Sequence, residues 1–276
     1  WGLSLFPYKW LGHVPAYEIN AHRFLWSGLA TALLVAVLGQ AGEVKAVLRQ
    51  PRLRRIIPLS ALMIFINATI YVVAIGWDRV LEVSFGYFLS PLLLVAIGWV
   101  FLGERLTIAQ KISVALSGLA CAIMGLGLDR VPWLGFAGAI SWTAYAFIKK
   151  QTPMPAVTGF LLECALVSVF SAVVIGTLEW NGTGHFQRSP STAAMLVGTL
   201  FFTAVPLVLF AASSVRLPLA ISGLMQYMSP SLQFILALAV FHEPGGAVRL
   251  ASFALIWTAL IIFTLDMVRR AQTAGR

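Results

Sequence analysis

The chain has 276 residues, of which 59% are hydrophobic and 11% charged, with a mean hydropathy of +0.89. Soluble domains carry about 25% charged residues, so composition excludes a soluble fold and equally excludes disorder. A formal charge of +9 would suggest nucleic acid on a soluble protein, but here the placement of the charges gives it another meaning.

Residues 1–12 are apolar apart from Lys9 and too few to cross a bilayer. They read as the second half of a helix whose beginning precedes this numbering. A signal peptide fits less well, because no basic n-region or small-residue cleavage site is present. Nine windows free of Asp, Glu, Lys, Arg and His follow, at 24–42, 56–77, 83–103, 112–128, 131–148, 164–178, 189–215, 217–241 and 250–265. Each lies at or near the roughly 17–25 residues that a helix needs to cross the hydrocarbon core. The expected fold class is therefore an all-α integral membrane protein with ten transmembrane helices. Cys121 and Cys164 fall inside two of these windows and read as small buried hydrophobes.

Ten spans place the loops alternately on two sides. Thirteen Lys and Arg then share one side, five of them within 45–55, and only Lys9, Arg79, Arg130, Arg188 and Arg249 lie on the other; Arg23 falls inside the second span. This positive-inside bias puts both termini in the cytoplasm. The basic run at 45–55 becomes a topology signal and a contact for anionic lipid. Membrane lipid, not nucleic acid, is the expected macroscopic partner.

An internal repeat organises the chain. Residues 88–104 read FLSPLLLVAIGWVFLGE and residues 227–243 read YMSPSLQFILALAVFHE, which superpose at a shift of 139. A shift of 140 brings VPAYE (14–18) onto MPAVT (154–158), and 141 brings Trp1 onto Trp142. Two five-helix copies follow, over 1–128 and 129–276. Because five is odd, the second copy enters the membrane from the opposite face. Inverted repeats of this kind mark alternating-access secondary transporters, whose substrate site lies near the midplane between the copies. A single chain holding both copies needs no second subunit, so a monomer suffices. The alternative is a duplicated membrane scaffold without transport.

The runs PAYEINAHRFLW (15–26), EVSFGYFLSPLLLVAIGWVFLGERL (82–106) and MQYMSPSLQFILALAVFHEP (225–244) resemble the RarD branch of the EamA-like ten-helix members of the drug/metabolite transporter superfamily. The resemblance runs from Trp1 to about Arg270. It implies a bacterial inner-membrane permease with spans 1, 3, 4, 6, 8 and 9 around a central cavity, exporting small organic solutes such as amino acids, related metabolites or drugs. The second copy departs from the pattern at His242, where the first has Gly103.

No HExxH, GxSxG, Walker A or Cys/His cluster is present, so no enzyme, metal or cofactor is expected. Candidate cavity residues are the polar and aromatic side chains inside the spans: Asn67 and Tyr71, four apart; Tyr87, one turn before Pro91; Trp142 and Tyr145, three apart; and Gln226 with Tyr227, just before Pro230. Such rings suit a small amphipathic solute; an interfacial aromatic belt or interhelical glue are the alternatives. Pro91 and Pro230 each remove a backbone hydrogen bond and should kink their helices beside the cavity. Charges deep in the membrane form the last candidate set. Lys9, Glu18, His22, Arg23, Asp78 and Glu82 fall in the outer third, and the repeat places Glu163 opposite Arg23. They are expected to form an outer ion-pair latch, with protons as the candidate coupling ion through His22 and Glu18. A static network fixing the second span is the alternative. A lipid-headgroup flippase and a passive facilitator or channel stand beside the transporter reading.

Overall fold

The computed structural model describes residue 3 and residues 10–77, 79–152, 154–240 and 246–274. Among them are eleven α-helices and no strand: α1 Ala16–Val37, α2 Ala41–Arg49, α3 Pro51–Gly76, α4 Val80–Leu102, α5 Ile108–Leu126, α6 Trp133–Gln151, α7 Ala156–Trp180, α8 Pro190–Arg216, α9 Leu219–Gln226, α10 Met228–Ala239 and α11 Ala247–Ala274. In lipid every backbone polar group must be satisfied internally, which is why apolar runs of this length fold as helices.

The punctuation is local. Proline stands just before α1, α7 and α9 (Pro15, Pro155, Pro218) and opens α3 and α8 at their first residue (Pro51, Pro190), where its missing N–H costs nothing. Thr107 and Gln110 form a reciprocal capping box at the start of α5. Gly103, at φ +66°, ends α4 in the left-handed region that a side chain would resist.

Among the described residues, six helices are long and apolar enough to cross a membrane, namely Pro51–Ala74, Glu82–Leu102, Ile108–Leu126, Ala156–Trp180, Pro190–Arg216 and Ala247–Arg270. The α1–α2 pair, bent by 109°, makes a seventh candidate. Two windows depart from an uninterrupted apolar span. Helix α6 ends on Lys149, Lys150 and Gln151, which lowers its apolar content. The window at 217–241 is broken at Tyr227 into α9 and α10.

Helix starts recur along the chain. Ala16 and Ala156 are 140 residues apart; Pro51 and Pro190, Val80 and Leu219, and Ile108 and Ala247 are each 139 apart. The spacing seen in the side chains is thus also the spacing of the elements.

Two compact units divide the described chain, one from 3–77 with 144–216 and the other from 78–143 with 217–276. Each combines a stretch of the first copy with the matching stretch of the second. In the first unit α1 packs on α7 and α8, and α3 on α7. Close approach is set by small residues: a Cβ on Gly28 would lie 2.8 Å from the Ser168 hydroxyl and 3.4 Å from Cys164 Cβ. Short helix α2 buries Val47 beside Leu53 and Ile57 while Lys45, Arg49, Arg52, Arg54 and Arg55 stay exposed. In the second unit α4 packs on α9 and α5 on α11, around Phe85, Phe88, Leu224, Tyr227, Phe234 and Phe253. Here Gly86 meets the backbone of Gly135, and a Cβ on Gly223 would lie 2.8 Å from the Pro91 carbonyl oxygen.

Candidate functional site

The break in the second unit is built by proline. Pro230 has no N–H to give the Gln226 carbonyl four residues earlier, so the helical ladder loses a rung there. The chain interrupts at Tyr227, and Pro230 falls in the first turn of α10. Pro91 does the same to the Tyr87 carbonyl inside α4, which continues as one helix. The Ser90 hydroxyl beside it donates to the Gly86 carbonyl at 2.8 Å.

The start of α9 is held by a carboxylate. Leu219 and Ala220 donate their backbone N–H groups to Glu104 at 2.7 and 2.9 Å, one to each oxygen, where the helix dipole favours negative charge. The FLGER segment is what delivers it. Gly103 turns the chain at the end of α4, and Gly98 leaves room, since a Cβ there would sit 2.5 Å from Glu104 Oε2.

Around the break lie three of the residues expected to line a cavity, Trp142, Gln226 and Tyr227, and Tyr87 is on α4 of the same unit. Trp142 donates its indole N–H to Gln226 Oε1 at 2.8 Å. Tyr227 is fully buried in the core, its hydroxyl donating to the Phe88 carbonyl at 2.8 Å and its ring 6.4 Å from that of Phe88. Tyr87 is 46% exposed. Glu82 accepts the backbone N–H of Leu134 at 3.3 Å and lies 3.8 Å from Arg79.

The remaining candidates belong to the first unit. Asn67 and Tyr71 are both half-buried on α3. Tyr145 is fully buried, and its hydroxyl donates to Glu163 at 3.1 Å. The other oxygen of Glu163 takes Ser60 at 2.6 Å and the Lys149 ammonium at 3.0 Å. Glu163 is 1% exposed and Lys149 4%, so this is a desolvated ion pair with every close donor accounted for. Gly159 makes space for the ammonium.

The charged residues of α1 have partners of their own. Glu18 accepts the backbone N–H of His185 at 2.6 Å and meets its Nδ1 at 2.8 Å. His22 takes the Trp26 indole N–H on Nδ1 at 3.1 Å and stacks on Phe186, ring centroids 5.0 Å apart. Arg23 donates to the Thr203 hydroxyl at 3.1 Å. The structure thus brings Glu18 and His22 under one loop through His185 and Phe186, places Glu163 in a separate cluster on α7, and puts Glu82 in the other unit. Lys9 and Asp78 lie outside the described residues.

Sequence reasoning missed Ser60, Lys149 and His185. Ser60 and Lys149 lie on α3 and α6, and only the packing of those helices on α7 brings them to Glu163. His185 sits in a loop, where no periodicity announces a contact with α1.

Residues 1–126 match the model of the EamA-like transporter family. Protein RarD of Streptomyces exfoliatus is 36% identical over 273 residues, covering 99% of this chain and 87% of the relative. Protein RarD of Escherichia coli K12 is 31% identical, covering 97% and 91%. The chain belongs to the RarD branch of the EamA-like transporters. A solved crystal structure 20% identical to it superposes with a TM-score of 0.73, covering 96% of this chain and 93% of the other, and so shares its fold. The apolar helices are accordingly those of a multi-pass membrane transporter.

Proposed function

We propose that the chain is an inner-membrane secondary transporter of small organic solutes, working by alternating access between two inverted five-helix copies, with both termini in the cytoplasm. In this reading α9 and α10 together form one further span and α6 another. The observation that carries it is the packing of helices on their own repeat mates: α1 on α7, α4 on α9 and α5 on α11. Mates can touch in this way when a two-fold axis runs between them, as an inverted repeat requires. The hydrogen bond from Tyr227 to Phe88, residues 139 apart, is the same relation at the level of single residues.

The residues this reading assigns to the solute are Asn67, Tyr71 and Tyr145 in the first unit and Tyr87, Trp142, Gln226 and Tyr227 in the second, where Pro91 and Pro230 are the points of motion. Glu18, His22 and Arg23 are the gating charges of the first unit in this reading and Glu82 that of the second, with Glu163 and Lys149 as a separate buried pair in the first unit. The prolines support this assignment, because the carbonyls that Pro91 and Pro230 leave without a helical donor are tolerated at membrane depth where protein or a water-filled cavity covers them. Counterflow in proteoliposomes tests it. A carrier accelerates uptake of labelled solute when unlabelled solute is inside, and a channel does not.

A further inference from the structure

The break at Tyr227 offers hydrogen-bond donors whose polarity is fixed. Indole N–H groups only donate, so the atom of Gln226 that meets Trp142 is the amide oxygen. The amide cannot flip without losing that bond, and its nitrogen is therefore turned to the other side. Among the described residues, Gln226 Nε2 is buried with no partner. Ser222, four residues earlier and so on the same face of α9, also buries an unpartnered hydroxyl. A buried donor without an acceptor costs about 1–3 kcal/mol, and two on one face of a broken helix need an occupant.

Charge narrows the occupant. The sequence has no Asp, Glu, Lys, Arg or His over 131–148 or 217–241, which contribute Trp142, Ser222 and Gln226, or over 83–103, the stretch of α4 that packs on α9. The charge that does meet α9 is the Glu104 carboxylate at its start, about 10 Å along the axis from Gln226 at 1.5 Å per residue. A full anion would enter a dry site without a cation and beneath a carboxylate. A cation would face the amide hydrogens. A neutral carbonyl accepts from both donors with no charge to desolvate.

We infer that Gln226 and Ser222 form a head-group site that reads the carbonyl of an uncharged amide or ester, with Trp142 holding the Gln226 amide in its donating orientation. This rests on the solute site proposed above and names the chemistry it selects.

Three probes with one aromatic body and different heads test it: 3-phenylpropanamide, 3-phenylpropanoate and 3-phenylpropylamine. Binding of each to purified protein in nanodiscs is measured by calorimetry, for wild type, Gln226→Glu and Gln226→Met. Glutamate keeps an acceptor for Trp142 but replaces the donors with an acceptor; methionine keeps the length and removes both. Wild type should prefer the amide over both other probes by about tenfold or more, one lost hydrogen bond being worth about that factor. Gln226→Glu should reverse the order in favour of the amine, and Gln226→Met should lose the amide preference without gaining the amine. Equal amide affinity in all three proteins, or no binding of any probe to wild type, overturns the inference. Counterflow on the same preparations separates the two claims. Transport of the amide that ignores Gln226 sinks the head-group site and leaves the carrier, whereas Gln226-dependent binding without counterflow does the reverse.

Discussion

At the scale of single residues, the Glu163 carboxylate carries the sharpest energetic expectation. Three donors, from Ser60, Tyr145 and Lys149, converge on it in a fully buried setting. Removing one partner of a buried ion pair leaves an uncompensated charge and costs about 3–5 kcal/mol, whereas an apolar replacement of both can be neutral. Glu163→Met and Lys149→Met should each lower the melting temperature strongly, and the double variant should be more stable than either. Purely additive losses in that cycle would show that the two side chains are not coupled. His22 gives a second expectation. Its Nδ1 accepts the Trp26 N–H, so the ring is neutral while that bond stands and must release Trp26 to take a second proton. If His22 couples protons to transport, exchange should depend on pH near neutrality and His22→Gln should flatten the profile, as should Glu18→Gln. An unchanged profile in both variants would reduce these residues to a static brace for α1.

At the scale of elements, the account turns on how α9 begins and ends. Glu104 satisfies the first two N–H groups of a helix only eight residues long. Glu104→Ala should destabilise the protein by about 2 kcal/mol or more, since buried orphan donors cost about 1–3 kcal/mol each, while Glu104→Gln keeps one acceptor oxygen for one of the two N–H groups and turns its NH2 toward the other, and so recovers only part of that loss. Gly98→Ala should cost a similar amount by displacing the same carboxylate, and combining it with Glu104→Ala should add little. Thermal melts of the three variants in detergent decide this. Full additivity would mean that Gly98 serves packing alone.

This is also the scale at which the sequence was most and least legible. Charge-free windows announced the helices because lipid leaves an apolar run few other options. The prolines announced the interruption near 227–230, and the rung lost is at the Gln226 carbonyl, while Tyr227 keeps helical φ and ψ (−61° and −17°). FLGER could be recognised as a motif, yet its purpose depends on α9 lying beside it, 115 residues away, which no local pattern encodes. For the same reason Glu18 and His22, four apart on one helix, looked like partners. Their closest bonds go instead to His185, which reaches across from a loop, and to Trp26, one turn further on.

At the scale of the whole molecule, the repeat is the central claim. Helices begin at matched positions 139 or 140 residues apart, and three of them pack on their own mates. If the copies are inverted, mated loops must lie on opposite faces of the membrane. Gln50, ahead of α3, and Ser189, ahead of α8, are such a pair, as are Arg130 and Arg269. The background for labelling is low, because the two native cysteines are buried. Single cysteines at these four positions, treated in intact cells with a membrane-impermeant maleimide, measure the orientation directly. The account predicts labelling from outside at Ser189→Cys and Arg130→Cys and protection at Gln50→Cys and Arg269→Cys until the membrane is opened. Labelling of both members of either pair from the same face would contradict it.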